Sequence, residues 1–151
     1  MKIVIFGIAN KNSIKKYKNV AKKTILQYCK NKNFDNSQTL NLIFVDDTYI
    51  KKLNHKFLGR NRPTDVIAFP IENNETTDFT DSHRFSFNPL NPSNPWLNSK
   101  LWAEIYISID RAREQAKEYK IAPDQEICNL IRHGVLHLLG YTHKQMQKLK
   151  D

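Results

Sequence analysis

The stretch HGVLHLLGYTH, from His133 to His143, contains three of the five histidines of the chain. His133 and His137 are four residues apart, so on a helix their side chains lie on one face. Gly140 is a predicted left-handed helix stop, after which His143 can return toward the other two histidines. Three neutral imidazoles around one open coordination position are the ligand set of a catalytic zinc ion. The spacing therefore predicts a zinc site formed by His133, His137 and His143.

Other interpretations of this stretch remain open. A lone helical histidine is usually a hydrogen-bonded core or boundary residue, although the full spacing is hard to obtain by chance. Metzincin proteases share the spacing but place a glutamate base after the first histidine. Here that position is Gly134, which cannot accept a proton, so a metalloprotease is the least favoured function. A zinc ion without that base can still activate water or polarise a phosphoryl oxygen, which favours an anionic ester as substrate. Nickel, copper or iron also suit three histidines.

The bulk composition indicates one globular domain spanning residues 1–151, with 40% hydrophobic residues. The formal net charge of +9 favours a polyanionic partner such as RNA, although a solvated cationic surface explains it equally well. Cys29 and Cys128 are isolated thiols, which indicates a reducing compartment rather than a disulfide framework. No apolar run is long enough to span a bilayer, and the apolar start lacks the features of a signal peptide. We therefore expect no membrane contact and a cytoplasmic location.

The hydrophobic pattern predicts an α+β fold with one mixed four-stranded sheet packed by helices. The predicted strands cover residues 2–8, 40–45, 65–69 and 104–109. The first helix is predicted from Ser13, as its N-cap, to about Lys32, with an exposed lysine face that solvent or RNA phosphates could contact. Asp46 or Asp47 caps a second helix, Asp110 caps a third to about Tyr119, and Pro123 begins a last one to about Leu139. Glu126 on that helix is either a hydrogen-bond acceptor for an imidazole or an ordinary first-turn acid. Residues 72–100 lack periodicity and are predicted to form a long loop.

Three sequence blocks resemble a known family. The stretch from His133 to His143 resembles the signature of the bacterial YbeY endoribonucleases, the rRNA maturation factors. LNHKFLGRNRPTDVIAFP, from Leu53 to Pro70, agrees with a second family block, and EIYIS, from Glu104 to Ser108, agrees more weakly with a third. The order of the elements also fits, so the resemblance covers most of the chain.

This resemblance implies a single-domain, metal-dependent hydrolase with one zinc ion per chain held by His133, His137 and His143. It implies single-strand-specific endoribonuclease activity in small-subunit rRNA maturation, including 3′-end processing, and in ribosome quality control. The implied partners are rRNA, the small ribosomal subunit and ribosome-assembly proteins, in the cytoplasm.

The chain departs from the family pattern at several points. Thr142 stands where the family usually has aspartate, so any role of that carboxylate is lost. Leu58 stands where many members have a functionally important arginine, and Arg60, two residues later, is the candidate replacement as a phosphate contact. The loop over residues 72–100 is longer than usual, and the usual acidic continuation after the signature is missing. The departure at Leu58 bears on cleavage efficiency more than on the fold.

Our leading hypothesis is a zinc-dependent endoribonuclease acting on rRNA precursors. Zinc-bound water, or another nucleophile attacking a zinc-polarised phosphate, would carry the reaction. Arg60 and Arg62 would stabilise the phosphate, or would only keep their loop soluble. Asn54, Thr64 and Asp65 are expected to shape the loop and strand end beside the metal. The alternative is a non-catalytic, zinc-stabilised assembly factor that binds the small subunit.

Overall fold

The structure is a computed structural model that describes residues 1–8, 11–30, 32–71 and 100–149. Its strands are β1 (Lys2–Gly7), β2 (Gln38–Val45), β3 (Val66–Pro70) and β4 (Lys100–Ser108). They form one sheet in the order β1-β2-β4-β3, in which β1, β2 and β4 are parallel and β3 runs antiparallel to β4. This arrangement confirms the predicted α+β class with one mixed four-stranded sheet.

Helices cover both faces of the sheet. They are α1 (Lys11–Cys29), α2 (Asp47–Leu58), α3 (Ile109–Glu118), α4 (Pro123–Leu138) and the short α5 (His143–Lys148). Apolar residues of α1, α3 and α4 share one buried cluster with Leu40, Leu42 and Phe44 of β2. Ile50 and Leu53 of α2 pack on the opposite face. Because β2 and β4 are central strands covered on both sides, their side chains are buried on both faces.

The alternation predicted for residues 104–109 is confirmed as far as Ser108, whereas Ile109 is the first residue of α3. Ile105 and Ile107 point toward α4, and Tyr106 points toward α2. Glu104 is also buried, and its carboxylate accepts hydrogen bonds from Tyr106 Oη at 2.8 Å and Asn41 Nδ2 at 3.3 Å. Burial raises the pKa of Glu104 despite these two bonds. The polar face of this strand is therefore a hydrogen-bonded interior network.

Two predicted helix starts were wrong. Helix α1 begins at Lys11, so Ser13 lies inside the helix and is not its cap, and the helix ends at Cys29. Helix α3 is capped by Ser108, whose Oγ accepts from Arg111 N at 3.2 Å, whereas Asp110 lies in the first turn. Asp110 instead accepts a hydrogen bond from the backbone N of Asp47 at 3.0 Å. Serine and aspartate are both good N-cap residues. The hydrogen bond that Asp110 accepts from Asp47 holds its side chain away from the cap position, which Ser108 takes.

The first turn of α2 settles an alternative that the sequence left open. Asp46 is the N-cap, and its Oδ1 accepts a hydrogen bond from Tyr49 N at 2.7 Å. Asp47 is the first helical residue, and its carboxylate receives Ser108 Oγ at 2.6 Å and pairs with Arg111. These contacts tie the start of α2 to the end of β4.

The predicted loop over residues 72–100 lies outside the described residues, except that Lys100 is the first residue of β4. Cys29 is buried, Cys128 is half-buried and both are free thiols, as predicted. Within the described part of the chain, no helix combines the length and apolar character needed to cross a membrane.

Candidate metal centre

Helix α4 presents the first two histidines and then stops at a defined point. Gly140 follows the helix with a φ of 82°, in the left-handed region. Its N–H donates to His137 O at 2.9 Å, and Tyr141 N donates to Leu136 O at 3.0 Å. This pair of bonds is a Schellman motif, which favours glycine at the left-handed position. The helix stop predicted from Gly140 is therefore confirmed.

The third histidine is held by a second helix start, which the sequence reading did not anticipate. Thr142 is the N-cap of α5, and His143 is the first helical residue. Thr142 and Gln145 form a capping box, with Thr142 N donating to Gln145 Oε1 at 2.8 Å. The Thr-x-x-Gln spacing was the sequence signal for this start. The rotamer of His143 thus depends on a capped helix turn rather than on a free chain end.

The three imidazoles converge. His137 Nε2 lies 3.0 Å from His133 Nε2 and 3.0 Å from His143 Nε2. One ring nitrogen from each of the three histidines lies within 4.8 Å of the other two. The sequence prediction that these residues come together is confirmed.

These distances fit a small transition-metal ion. Zinc–nitrogen bonds of about 2.0–2.1 Å in a tetrahedral site place ligand nitrogens about 3.3 Å apart, close to the spacing seen here. Among the described residues, no other histidine, cysteine, aspartate or glutamate joins this group. The cluster could therefore bind a metal ion with three protein ligands and leave a position open to solvent or substrate.

The electrostatic surroundings of His133 and His137 favour their neutral forms, which are the forms that bind metals. Partial burial lowers the pKa of His133, and the neighbouring His137 and His143 lower it further. Burial and the charge of His143 likewise lower the pKa of His137. Asp65 acts in the opposite direction and raises the pKa of His133.

Gly134 shows why a glutamate base has no place here. It is buried where α4 crosses the sheet, and a Cβ at this position would lie 3.1 Å from Ile105 Cγ2 and 3.4 Å from Val66 Cγ2. A side chain at position 134 would therefore begin against the apolar residues Ile105 and Val66 of the sheet. The structure adds a steric reason to the chemical argument against a metzincin-like protease.

A cleft of about 390 Å³ opens beside His133 and His143. Asp65 and Glu126 line it, together with Arg132 and Asn129. Glu126 is buried and accepts a hydrogen bond from Asn129 Nδ2 at 3.1 Å. Its described hydrogen-bond partner is thus Asn129 rather than a histidine, so Glu126 forms the cleft wall. The sequence reading did not single out Arg132, because one arginine on a helix carries no motif.

The turn before β3 is held as predicted. Asn54 is buried, and its Nδ2 donates to Arg62 O at 2.7 Å. Asp65 Oδ1 accepts from Thr64 Oγ1 and from Val66 N, and its Oδ2 accepts from Gln115 Nε2 at 3.1 Å. These bonds fix the Asp65 carboxylate at the cleft beside His133.

The cations predicted to contact phosphate lie elsewhere. Arg60 and Arg62 are exposed on the turn after α2, and neither lines the described part of the cleft. Leu58 is 52% exposed at the end of α2. A phosphate contact by Arg60 stays a prediction, and it requires a substrate that extends beyond the histidine cleft.

The capping role of Thr142 leads to a prediction. Thr142→Ala removes the cap of α5 at a cost of about 1 kcal/mol, which should lower metal affinity up to about fivefold through His143. Thr142→Asp restores a side-chain cap and should bind metal like the wild type, because aspartate caps helices as well as threonine does. Competition with a chromophoric chelator measures both affinities. Equal affinities for the Ala and Asp variants would show that the cap does not position His143.

The fold and the site together define a class: an α+β protein with a three-histidine centre that could bind a metal ion, open to solvent at the end of a long helix. The sequence profile described as Endoribonuclease YbeY matches residues 7–151. The chain belongs to the YbeY endoribonuclease family.

Individual relatives agree with this assignment. The Endoribonuclease YbeY of Clostridium tetani is 37% identical over 124 residues, covering 79% of this chain and 71% of the relative. That of Persephonella marina is 29% identical over 141 residues, covering 93% and 77%. The solution structure of TM1509 from Thermotoga maritima superposes with a TM-score of 0.56 at 26% identity, covering 98% of this chain and 84% of the other.

Proposed function

We propose that this protein is a zinc-dependent endoribonuclease that cuts single-stranded RNA. The observation that carries the proposal is the convergence of three histidine nitrogens beside an open cleft. Membership of a family whose relatives bear the name endoribonuclease supports the reaction class. A zinc ion at His133, His137 and His143 would supply a Lewis acid for a phosphoryl oxygen and lower the pKa of water.

The residues of the chain would orient the substrate around that centre. The anchored Asp65 carboxylate holds negative charge beside His133, which favours retention of a cation there. Gly134 keeps the core face of α4 closely packed on the sheet, so the ligand face of the helix is rigidly placed. Hydrolysis breaks one P–O bond, joins the attacking oxygen to phosphorus and delivers a proton to the leaving ribose oxygen.

The proposed substrate is ribosomal RNA of the small subunit, including its 3′ end, in the cytoplasm. The net charge of +9 supports a polyanionic partner. Arg60 and Arg62 would supply cations for phosphates outside the cleft. Further cations come from six exposed lysines on α1 and directly after it, namely Lys15, Lys16, Lys18, Lys22, Lys23 and Lys30. Lys16 also pairs with Asp124 at 3.0 Å. We further propose the small ribosomal subunit and its assembly proteins as partners, and ribosome quality control as a second role.

Metal removal tests the proposal. Protein treated with a chelator and dialysed should lose cleavage of a labelled single-stranded RNA, and stoichiometric zinc should restore it. Duplex RNA of the same sequence serves as the substrate control and should be cut much more slowly. Undiminished cleavage by protein shown to contain no metal would refute the proposed function.

A second candidate function is a non-catalytic assembly factor that zinc stabilises. Two observations favour it: position 58 is a leucine rather than an arginine, and Arg60 does not line the described part of the cleft. It predicts that zinc raises the melting temperature while the protein binds RNA without cutting it. The cleavage assay above, read beside a thermal melt, separates the two functions.

A further inference from the structure

Arg132 is the only permanently charged cation that lines the described part of the histidine cleft. It directly precedes His133 on α4, and its side chain is half-buried. It lines the same cleft as His133 and His143. A guanidinium in this position works against a cation-binding site, since it repels both a protonated histidine and a metal ion.

Among the described residues, no contact of Arg132 offsets this cost. Its Nε is buried and has no hydrogen-bond partner among them, and none of them forms an ion pair with the guanidinium. The two carboxylates of the cleft are engaged by other groups: Asp65 by Gln115, and Glu126 by Asn129. A buried donor without a partner destabilises a fold, so the residue is better explained by a ligand than by packing.

The charge balance of the cleft indicates the chemistry of that ligand. Asp65, Glu126 and Arg132 contribute two negative charges and one positive charge. With a divalent ion on the histidines, the cleft gains a net positive charge, opposite to the single negative charge of a phosphodiester. Arginine also presents a planar fork of donors that matches two phosphate oxygens.

We propose that Arg132 is a substrate-positioning residue that binds a phosphate of single-stranded RNA next to the three-histidine centre. The proposal rests on the proposed function and deepens it by naming the cation inside the cleft. Arg60 and Arg62 are exposed on a separate turn, and they would contact only nucleotides outside the cleft.

Arg132→Met tests the proposal, because methionine keeps much of the length of arginine but lacks charge and donors. Binding of a fluorescent single-stranded RNA oligonucleotide, 2′-O-methylated to protect it from cleavage, to the zinc-loaded full chain is followed by anisotropy between about 50 and 200 mM salt. We expect affinity to fall about tenfold or more, and the slope of log affinity against log salt to flatten by about 0.7. The melting temperature should stay constant or rise, because an unpartnered buried donor is removed. A structural role predicts a lower melting temperature.

Two further variants complete the test. Arg113→Met makes the same change on the exposed face of α3, outside the cleft, and should leave binding nearly unchanged. Arg132→Lys keeps the charge without the fork, so it should keep the wild-type salt slope with weaker binding.

Each outcome has one meaning. If wild-type protein binds RNA and Arg132→Met behaves like Arg113→Met, or if Arg132→Met unfolds, the role of Arg132 is refuted while the proposed function stands. The role of Arg132 is likewise refuted, and the proposed function stands, if the slope of log affinity against log salt flattens as much in Arg132→Lys as in Arg132→Met. If wild-type protein binds no RNA, the proposed function fails, and this inference fails with it.

Discussion

His137→Ala should release the metal ion and reduce RNA cleavage by at least about 1,000-fold. His137 Nε2 is 3.0 Å from the Nε2 atoms of both other histidines, so its loss removes the central ligand of the cluster. Metal affinity should fall by more than about 100-fold, since changes in residues that only orient a ligand already cost 10–100-fold. A bound metal ion stabilises the charge of the transition state by several kcal/mol, and each loss of about 1.4 kcal/mol slows the reaction tenfold. Loss of the ion therefore accounts for the expected fall in the cleavage rate. Elemental analysis and single-turnover cleavage measure both effects.

The matched control is His55→Ala. His55 is exposed on α2 and does not belong to the histidine cluster, so metal content and cleavage should stay at wild-type levels. His137 is itself exposed, so removing its side chain should have little effect on packing. The free energies of unfolding of the metal-free His137→Ala and wild-type proteins should therefore differ by less than about 1 kcal/mol. A His137→Ala variant that retains one tightly bound metal ion and its cleavage rate would exclude this cluster as the catalytic centre.

Gly134→Glu should prevent folding or cost more than about 4 kcal/mol of stability. A Cβ at this position already lies 3.1 Å from Ile105 Cγ2 and 3.4 Å from Val66 Cγ2, so the remaining atoms of a glutamate would enter the core beneath α4. The variant adds overpacking to the burial of a charge without a partner, and each is among the costliest single changes. Chemical denaturation followed by circular dichroism measures the loss.

Gln125→Glu provides the control on the same helix. Gln125 is exposed in the first turn of α4, where an added negative charge favours the helix dipole, so stability should change by less than about 0.5 kcal/mol. A folded Gly134→Glu protein with wild-type stability would show that position 134 does not face the sheet. It would reopen the comparison with the metzincin proteases.

The histidine cluster could be predicted from sequence because its geometry is local. His133 and His137 share a helix face by their spacing, and Gly140 needs a left-handed backbone that other residues rarely adopt. The alternation over residues 104–109 predicted a strand for a similar reason, and the strand ends at Ser108. Such patterns depend on residues only a few positions apart, and the structure confirms them.

The features that sequence reading missed depend on contacts between distant segments. Ser108 and Asp110 are both good caps, and the choice between them follows from hydrogen bonds to Asp47 and Asp65. Arg132 carries no motif, and it becomes a candidate only when the fold places it in a cleft beside two carboxylates. The start of α5 is the exception, because its signal, the capping-box spacing of Thr142 and Gln145, is local.

The most direct test of the central claim is the coordination of the metal in protein purified without added metal. Elemental analysis combined with X-ray absorption should find one transition-metal ion per chain, with three imidazole nitrogens at about 2.0 Å and one light-atom ligand. His143→Ala should lower the nitrogen count or empty the site. A chain that retains no metal at micromolar concentrations, or that binds it through a thiolate or a fourth protein side chain, would contradict the proposed hydrolytic centre.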